Sequence, residues 1–490
     1  MVDNTSPKNL SVEQVLTALR FSIFDGGFAH IYANLTGSVF LPAFALALNA
    51  NAFEIGLLAA IPFFANIFQV FGAYLIEKKQ ERKRIVIWFA GLARGMWIPV
   101  VALSILLSQH HTSDLLKLLI VFILGSQVLA AVGGVSWLSW MAGLVPDEIR
   151  GRFFGLRNSI LGGVAVAIIL LGGRFLDWFP QRYPDLPQTR AFEILFMLAI
   201  VAGAISLWFL TRKPELPKAP GPRQKLAELY RAPLHHKNFR RFLRFAMLRS
   251  FATNIAAPFF VVYLLKDLHF SYTVVGIFTI LSALADLIGM WTWGHLSDHF
   301  GNRPIIISGT IVTTILPAIW VFTSTGEFSA YFLIPMLHIT GGFFWAGYNL
   351  CAANLVYRMA PARGNATFFA LWSISIGVAA GLGALTGGLM TKNVDWLMES
   401  VSISFDSGYK FIFLFSALLR VIPLLLARNI REEQGMPLRH AVRVLRNVRS
   451  WPTMMGFNHV LHFFLPTTGN QQKSSPYWPI WRSQRSGEGS

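Results

Sequence analysis

His338, Gly342, Trp345 and Asn349 recur at intervals of four, three and four residues within one apolar run. At helical pitch this places a titratable ring, a gap, an indole and an amide on one face. Such a face can stack on a solute and hydrogen-bond it, or it can be the stripe by which two helices pack; Cys351 falls on the opposite side. Asp25, Tyr32 and Thr36 share a face in the same way, with the small residues Gly26, Ala33 and Gly37 beside them. Gln127, Gly134 and Leu138 form a further face flanked by Trp137 and Trp140, and the run around residue 255 adds Asn254 and Pro258. These side chains suit recognition of a solute and handling of protons. A nucleotide-binding loop, a zinc-protease motif and a nucleophile elbow are all missing, so an enzyme is not expected.

A charge at the centre of a membrane helix costs ~2.5–3.5 kcal/mol on insertion scales, so each one needs a reason. Arg94 stands nine residues into its apolar run, about 13 Å deep at 1.5 Å per residue. Either Asp25 or Asp286 neutralises it, or it faces a water-filled path and attracts an anionic solute. Asp25 can pair with Arg20 or Arg249, or it can take up a proton; Asp286 is the other carboxylate placed for proton coupling. Arg249 and Arg420 lie nearer the ends of their runs, where snorkelling to the surface is expected. Glu193 is expected at a solvated outer end.

The elements that must position these residues are membrane helices. The 490 residues are 54% hydrophobic and 13% charged, with a mean hydropathy of +0.51, against roughly 25% charge in soluble domains. Apolar stretches of bilayer length fall at about 21–48, 53–76, 85–108, 115–139, 155–175, 191–211, 245–267, 272–294, 305–324, 330–356, 367–390 and 410–427. That is an all-α membrane protein of twelve transmembrane helices. The net charge of +18 does not point to nucleic acid, because the 42 Lys and Arg flank the apolar runs. One cysteine, Cys351, excludes an internal disulfide and a multi-thiolate metal site. His459 and His462 lack a third ligand nearby, so neither metal nor cofactor is expected.

Between two of the runs lies Trp293-Gly294-His295-Leu296-Ser297-Asp298-His299-Phe300-Gly301-Asn302-Arg303-Pro304. Ala73, Leu75, Glu77 and Arg82 precede Gly294, Leu296, Asp298 and Arg303 by one and the same interval. The first copy has Ala73 for the first glycine, Glu77 for the aspartate, and Lys79-Gln80 around the turn. Arg20 with Asp25 similarly matches Arg249 with Asn254, and Pro146…Arg150-Gly151 matches Pro361…Arg363-Gly364. The stretch resembles the Gly-x-Leu-x-Asp-x-x-Gly-x-Arg loop signature of the major facilitator superfamily, and the resemblance covers about residues 15–430. It implies two pseudo-symmetric six-helix bundles related by an axis along the membrane normal. It further implies that spans 1, 4, 7 and 10 line a central cavity, and that Glu77, Arg82, Arg150, Gly294, Asp298, Gly301, Arg303 and Arg363 act in gating loops. The glycine-rich span 5 lacks the Gly-Pro pair of the superfamily's drug–proton antiporters.

The chain therefore divides into a cytoplasmic segment 1–20, a bundle 21–211, a basic linker 212–244, a bundle 245–427 and a basic, disordered tail 428–490. Most Lys and Arg flank the spans on one side, which places both termini and the linker in the cytoplasm of a multi-pass protein of the cell membrane. Basic segments there would meet anionic lipid. The expectation is a monomeric secondary transporter of a small solute, with proton coupling open; a receptor or assembly scaffold that keeps the fold is the rival class. Gly377, Gly381, Gly383 and Gly387 read as a close-packing face.

Overall fold

The computed structural model describes residues 12–79, 81–107, 112–146, 149–215, 233–360, 365–402, 404–430 and 432. The described chain is helical, and eleven of its helices are long and apolar enough to cross a membrane. They are α2 (Ala52–Lys79), α3 (Arg82–Leu107), α4 (Asp114–Leu144), α5 (Arg150–Arg182), α6 (Thr189–Thr211), α7 (Lys237–Lys266), α8 (Tyr272–Phe300), α9 (Asn302–Phe322), α10 (Ser329–Met359), α11 (Thr367–Lys392) and α12 (Gly408–Ala427). The first segment, α1 (residues 12–47), completes the series as two pieces, Val12–Leu35 and Phe40–Ala47. A short helix, Val394–Ser400, lies between α11 and α12.

The break in α1 has a local cause. Thr36 turns its hydroxyl back onto the Tyr32 carbonyl at 2.8 Å, and Ser38 adopts a positive φ of 43°. Its counterpart α7 is likewise broken, into Lys237–Ala256 and Phe259–Lys266, with Pro258 at the joint. The two halves thus interrupt their first helices at matching places. The loop signature is less of a turn than its polarity suggests, since α8 runs through it to Phe300. Only Gly301, at φ 83°, turns the chain into α9.

The α6–α7 connection defines one side of the bundle, called here the linker side; the opposite is the far side. At the far side the halves share one apolar core, in which Phe40, Phe44 and Phe192 of the first half join Phe259, Tyr263 and Phe413 of the second. Glycines permit the approach. Gly388 on α11 lies against the Gly56 Cα of α2, and a Cβ on Gly173 of α5 would stand 3.0 Å from the Tyr272 carbonyl oxygen of α8. Gly383 and Gly387 pack on the Phe251 and Ile255 carbonyls of α7, while Gly377 and Gly381 meet Phe63 and Phe64 of α2. Asp177 of α5 hydrogen-bonds across this seam, accepting from the Tyr272 and Thr273 backbone N–H groups, both at 2.9 Å. The linker-side core of Trp140, Met141 and Phe153 belongs to the first half alone. The molecule is closed on its far side.

Candidate functional site

Where the halves meet, a cavity of about 310 Å³ is walled by Phe63 and Asn66 of α2, and by residues of α7, α10 and α11. Arg249 and Asn254 come from α7, Trp345 and Asn349 from α10, and Trp372 from α11. The volume is at the small end of the range for small-molecule sites, about 300–1,000 Å³.

Arg249 supplies the charge on this wall. It is 3% exposed, and its guanidinium lies 3.4 Å from the Tyr348 ring centroid and 4.5 Å from that of Trp345. Its Nη2 donates to Thr313 Oγ1 at 3.1 Å. Behind it, Arg420 of α12 is 6% exposed and donates from Nη1 to the Thr313 carbonyl at 2.6 Å and from Nε to Ser416 Oγ at 3.1 Å. Neither arginine snorkels, contrary to the expectation from their positions near helix ends. Ring faces, hydroxyls and helix carbonyls replace water around them. Among the described residues no carboxylate lies within ion-pair distance of either. Trp372 also lines the cavity, and its indole N–H is buried without a hydrogen-bond partner among the described residues.

The first half builds a different cluster. Asp25, buried in α1, accepts from Lys213 Nζ at 2.9 Å and from Ser206 Oγ at 2.6 Å. Arg94 donates to Ser206 Oγ at 2.9 Å and to the Gly203 carbonyl at 3.0 Å, and its guanidinium is 5.8 Å from the Tyr32 ring. Arg157 of α5 donates to the Ser22 carbonyl at 3.2 Å and lies 4.8 Å from the Trp137 ring. Lys213, just past α6, is fully buried; desolvation pulls its ammonium below the ordinary lysine value, with Asp25 opposing the shift. Trp140 holds the chain there by donating to the Pro214 carbonyl at 3.1 Å. Asp25 therefore pairs with Lys213, not with Arg20 or Arg249, and reaches Arg94 through Ser206. Lys213 looked like a linker residue because only the packing of α1, α4 and α6 buries it. Asp286 is not Arg94's partner and makes no ion pair or hydrogen bond among the described residues.

The stripe on α10 is divided by its neighbours. Trp345 and Asn349 line the cavity. Gly342 instead packs against the Ser282 backbone of α8. His338 lies in the far-side aromatic core, 5.4 Å from the Phe278 ring and 5.5 Å from that of Trp320, with Nδ1 3.0 Å from the Ile334 carbonyl. Helical spacing put the four on one face, but α8 and α9 cover its upper part. Cys351 is buried away from the cavity. Gln127 is half-buried and outside the cavity wall, as are Tyr32 and Thr36. Glu193, expected in solvent, is 2% exposed and accepts from Ser104 at 2.7 Å and Arg190 at 2.9 Å.

In the loop regions Glu77 and Asp298 are exposed, and Asp298 has no hydrogen bond among the described residues. Gly294 touches Leu350 only at ordinary van der Waals range. Arg150 donates to the Ala142 carbonyl at the end of α4 at 2.9 Å, and Arg303 to the Arg428 carbonyl at 3.0 Å. Arg82 and Arg303 each bury an Nε without a partner among the described residues. Arg363, residues 216–232 of the linker and the tail from 433 lie outside the described residues. Two carboxylates that reading passed over hold these loops. Glu432 accepts from the Asn302 and Arg303 N–H groups at 3.0 and 2.7 Å, and from Arg358 at 3.0 Å. Glu215 accepts from the Lys83 N–H at 3.1 Å. Each follows the last helix of its half by a few residues and caps the start of the third. That matched placement was the available signal.

The model of the Major Facilitator Superfamily matches residues 26–248 and 242–468. The chain belongs to that family. Its fold is also that of solved transporters at low identity. The nucleoside transporter NupG, in a singly substituted form, is 13% identical, with a TM-score of 0.64 over 86% of this chain and 100% of that one. A bacterial homolog of the human lysosomal transporter Spinster, inward-facing and unoccupied, is 15% identical, with a TM-score of 0.63 over 87% and 100%. A D-xylose-proton symporter is 16% identical, with a TM-score of 0.63 over 88% and 99%. No curated protein matches the sequence.

Proposed function

We propose that the protein is a secondary transporter that carries a small solute across the membrane by alternating access, with the cavity between α2, α7, α10 and α11 as its central site. The observation that carries this reading is that both halves wall the cavity, Phe63 and Asn66 from one and Arg249, Trp345 and Trp372 from the other. A solute bound there senses any rocking of the halves, and its differential contacts are what shift the equilibrium. The neighbouring structures, named for a nucleoside and for xylose, share the fold and differ in cargo, so the site must choose the solute.

The far-side-closed state opens toward the linker side, which the basic flanks assign to the cytoplasm of the cell membrane, with both termini there and anionic lipid against the basic segments. The chain works as a monomer. Asp298, exposed here, closes the linker side in the opposite state against the helix start near Arg363. If turnover is proton-coupled, the carboxylate that takes the proton is Asp286, because Asp25 is already occupied by Lys213 and Ser206. Counterflow into proteoliposomes, guided by a thermal-shift screen of solutes, tests the reading. Saturable counterflow of a stabilising solute is expected, and stabilisation without any flux under imposed gradients overturns it. Reporters fused at Glu215 and Ser490 should both face inside.

A further inference from the structure

Resting on that reading of the cavity, we propose that its ligand is a small monocarboxylate with a planar apolar body, bound by Arg249. Three features point the same way. The cavity wall carries a single formal charge, the Arg249 guanidinium, with no acidic side chain on the wall and no carboxylate at ion-pair distance among the described residues. Arg420 adds a second buried cation behind Thr313, which both arginines use as acceptor. A buried cation without a counter-ion is costly, and a ligand carboxylate lowers that cost by supplying it.

The remaining chemistry defines the rest of the ligand. The Arg249 guanidinium lies against the Tyr348 and Trp345 rings with one Nη2 hydrogen on Thr313, and a ligand carboxylate would take paired bonds from its remaining N–H groups. The Trp372 indole N–H, which has no acceptor among the described residues, is a further donor. Phe63, Trp345 and Trp372 present ring surface suited to a flat apolar body. Of the two cations only Arg249 reaches the wall, so one negative charge can be paired there by direct contact, while the second charge of a dianionic phosphate would have only Arg420, behind Thr313, to face it.

The test uses full-length protein in detergent, with benzoate, phenylacetate and nicotinate as probes and benzamide as the uncharged isostere of benzoate. Binding is read from tryptophan fluorescence and from the unfolding temperature. At least one of the carboxylates should bind saturably, with benzamide weaker than benzoate by roughly tenfold or more. Trp372→Phe should weaken the carboxylate about three- to tenfold. Arg249→Lys should weaken it about tenfold or more, since an ammonium cannot form the paired bonds. If Arg249→Lys does not fold, Asn349→Asp serves instead, because this exposed residue places a carboxylate on the wall and should compete with the ligand to a similar extent. Equal binding of benzoate and benzamide, undiminished binding in Asn349→Asp, or no binding by any carboxylate overturns the proposal. Counterflow keeps the two readings apart: carboxylate binding without flux removes the transporter and keeps the ligand class, whereas flux of a neutral solute alone removes the ligand class and keeps the transporter.

Discussion

Both halves bury cations, and they neutralise them by different means. In the first, Lys213, Arg94 and Arg157 gather around Asp25, directly or through Ser206 and the α1 backbone. In the second, α7 carries no carboxylate at all, and the helix breaks align Asn254 with Asn34 and not with Asp25, the match that the sequence repeat suggests: each amide donates its N–H to the carbonyl four residues back, Ser250 and His30, at 2.8 Å. Among the described residues Arg249 and Arg420 are held by rings, hydroxyls and carbonyls. The difference teaches that a repeat can preserve helices while its pattern of charges diverges. One half carries its counter-ion within the chain; in the other, on the proposal above, a ligand supplies it.

The largest effect should come from breaking the first half's arrangement. Asp25→Ala strands the fully buried Lys213, and removing one partner of a buried pair costs about 3–5 kcal/mol. Loss of monodisperse protein on size exclusion is expected, with recovery in Asp25→Asn combined with Lys213→Met; a stable single variant would mean that the pair holds nothing together. Arg249→Gln should be milder on stability, about 1–2 kcal/mol for the lost Thr313 bond and ring contacts, because no carboxylate is left behind. Uptake should nevertheless fall to background at normal protein level. If Arg249→Gln unfolds as readily as Asp25→Ala, the contrast between the halves disappears.

A smaller change probes the seam itself. Asp177→Asn weakens the cap on α8 by about 0.5–2 kcal/mol and should let the far side open more often. A cysteine placed at Tyr272, with Cys351 replaced by Ala, should then react with a soluble thiol reagent several-fold faster than in the Asp177 background. Unchanged labelling would show that the shared aromatic core alone keeps that side shut. The smallest effect on stability, within about 0.5 kcal/mol, is expected for Asp298→Asn, whose carboxylate has no hydrogen bond in the described state. Transport should still drop sharply at equal expression if, as proposed, the carboxylate acts when the linker side closes.

The sequence by itself determined the helical class, the two-fold repeat and the series of membrane segments, because bilayer length and the exclusion of charge are properties of contiguous residues. It also showed the glycine face of α11 and placed Trp345 and Asn349, since helical periodicity is local. The partners of the buried charges were decided only by tertiary structure. Asp25 finds Lys213 across almost the whole first half, and Arg249 finds Thr313 on another helix. Such pairings depend on which helices are neighbours, which apolar periodicity does not encode. The same reason divides the α10 stripe. Spacing puts His338 and Asn349 on one face, but whether that face meets α8, α9 or open cavity at each turn is set by where the neighbouring helices cross it.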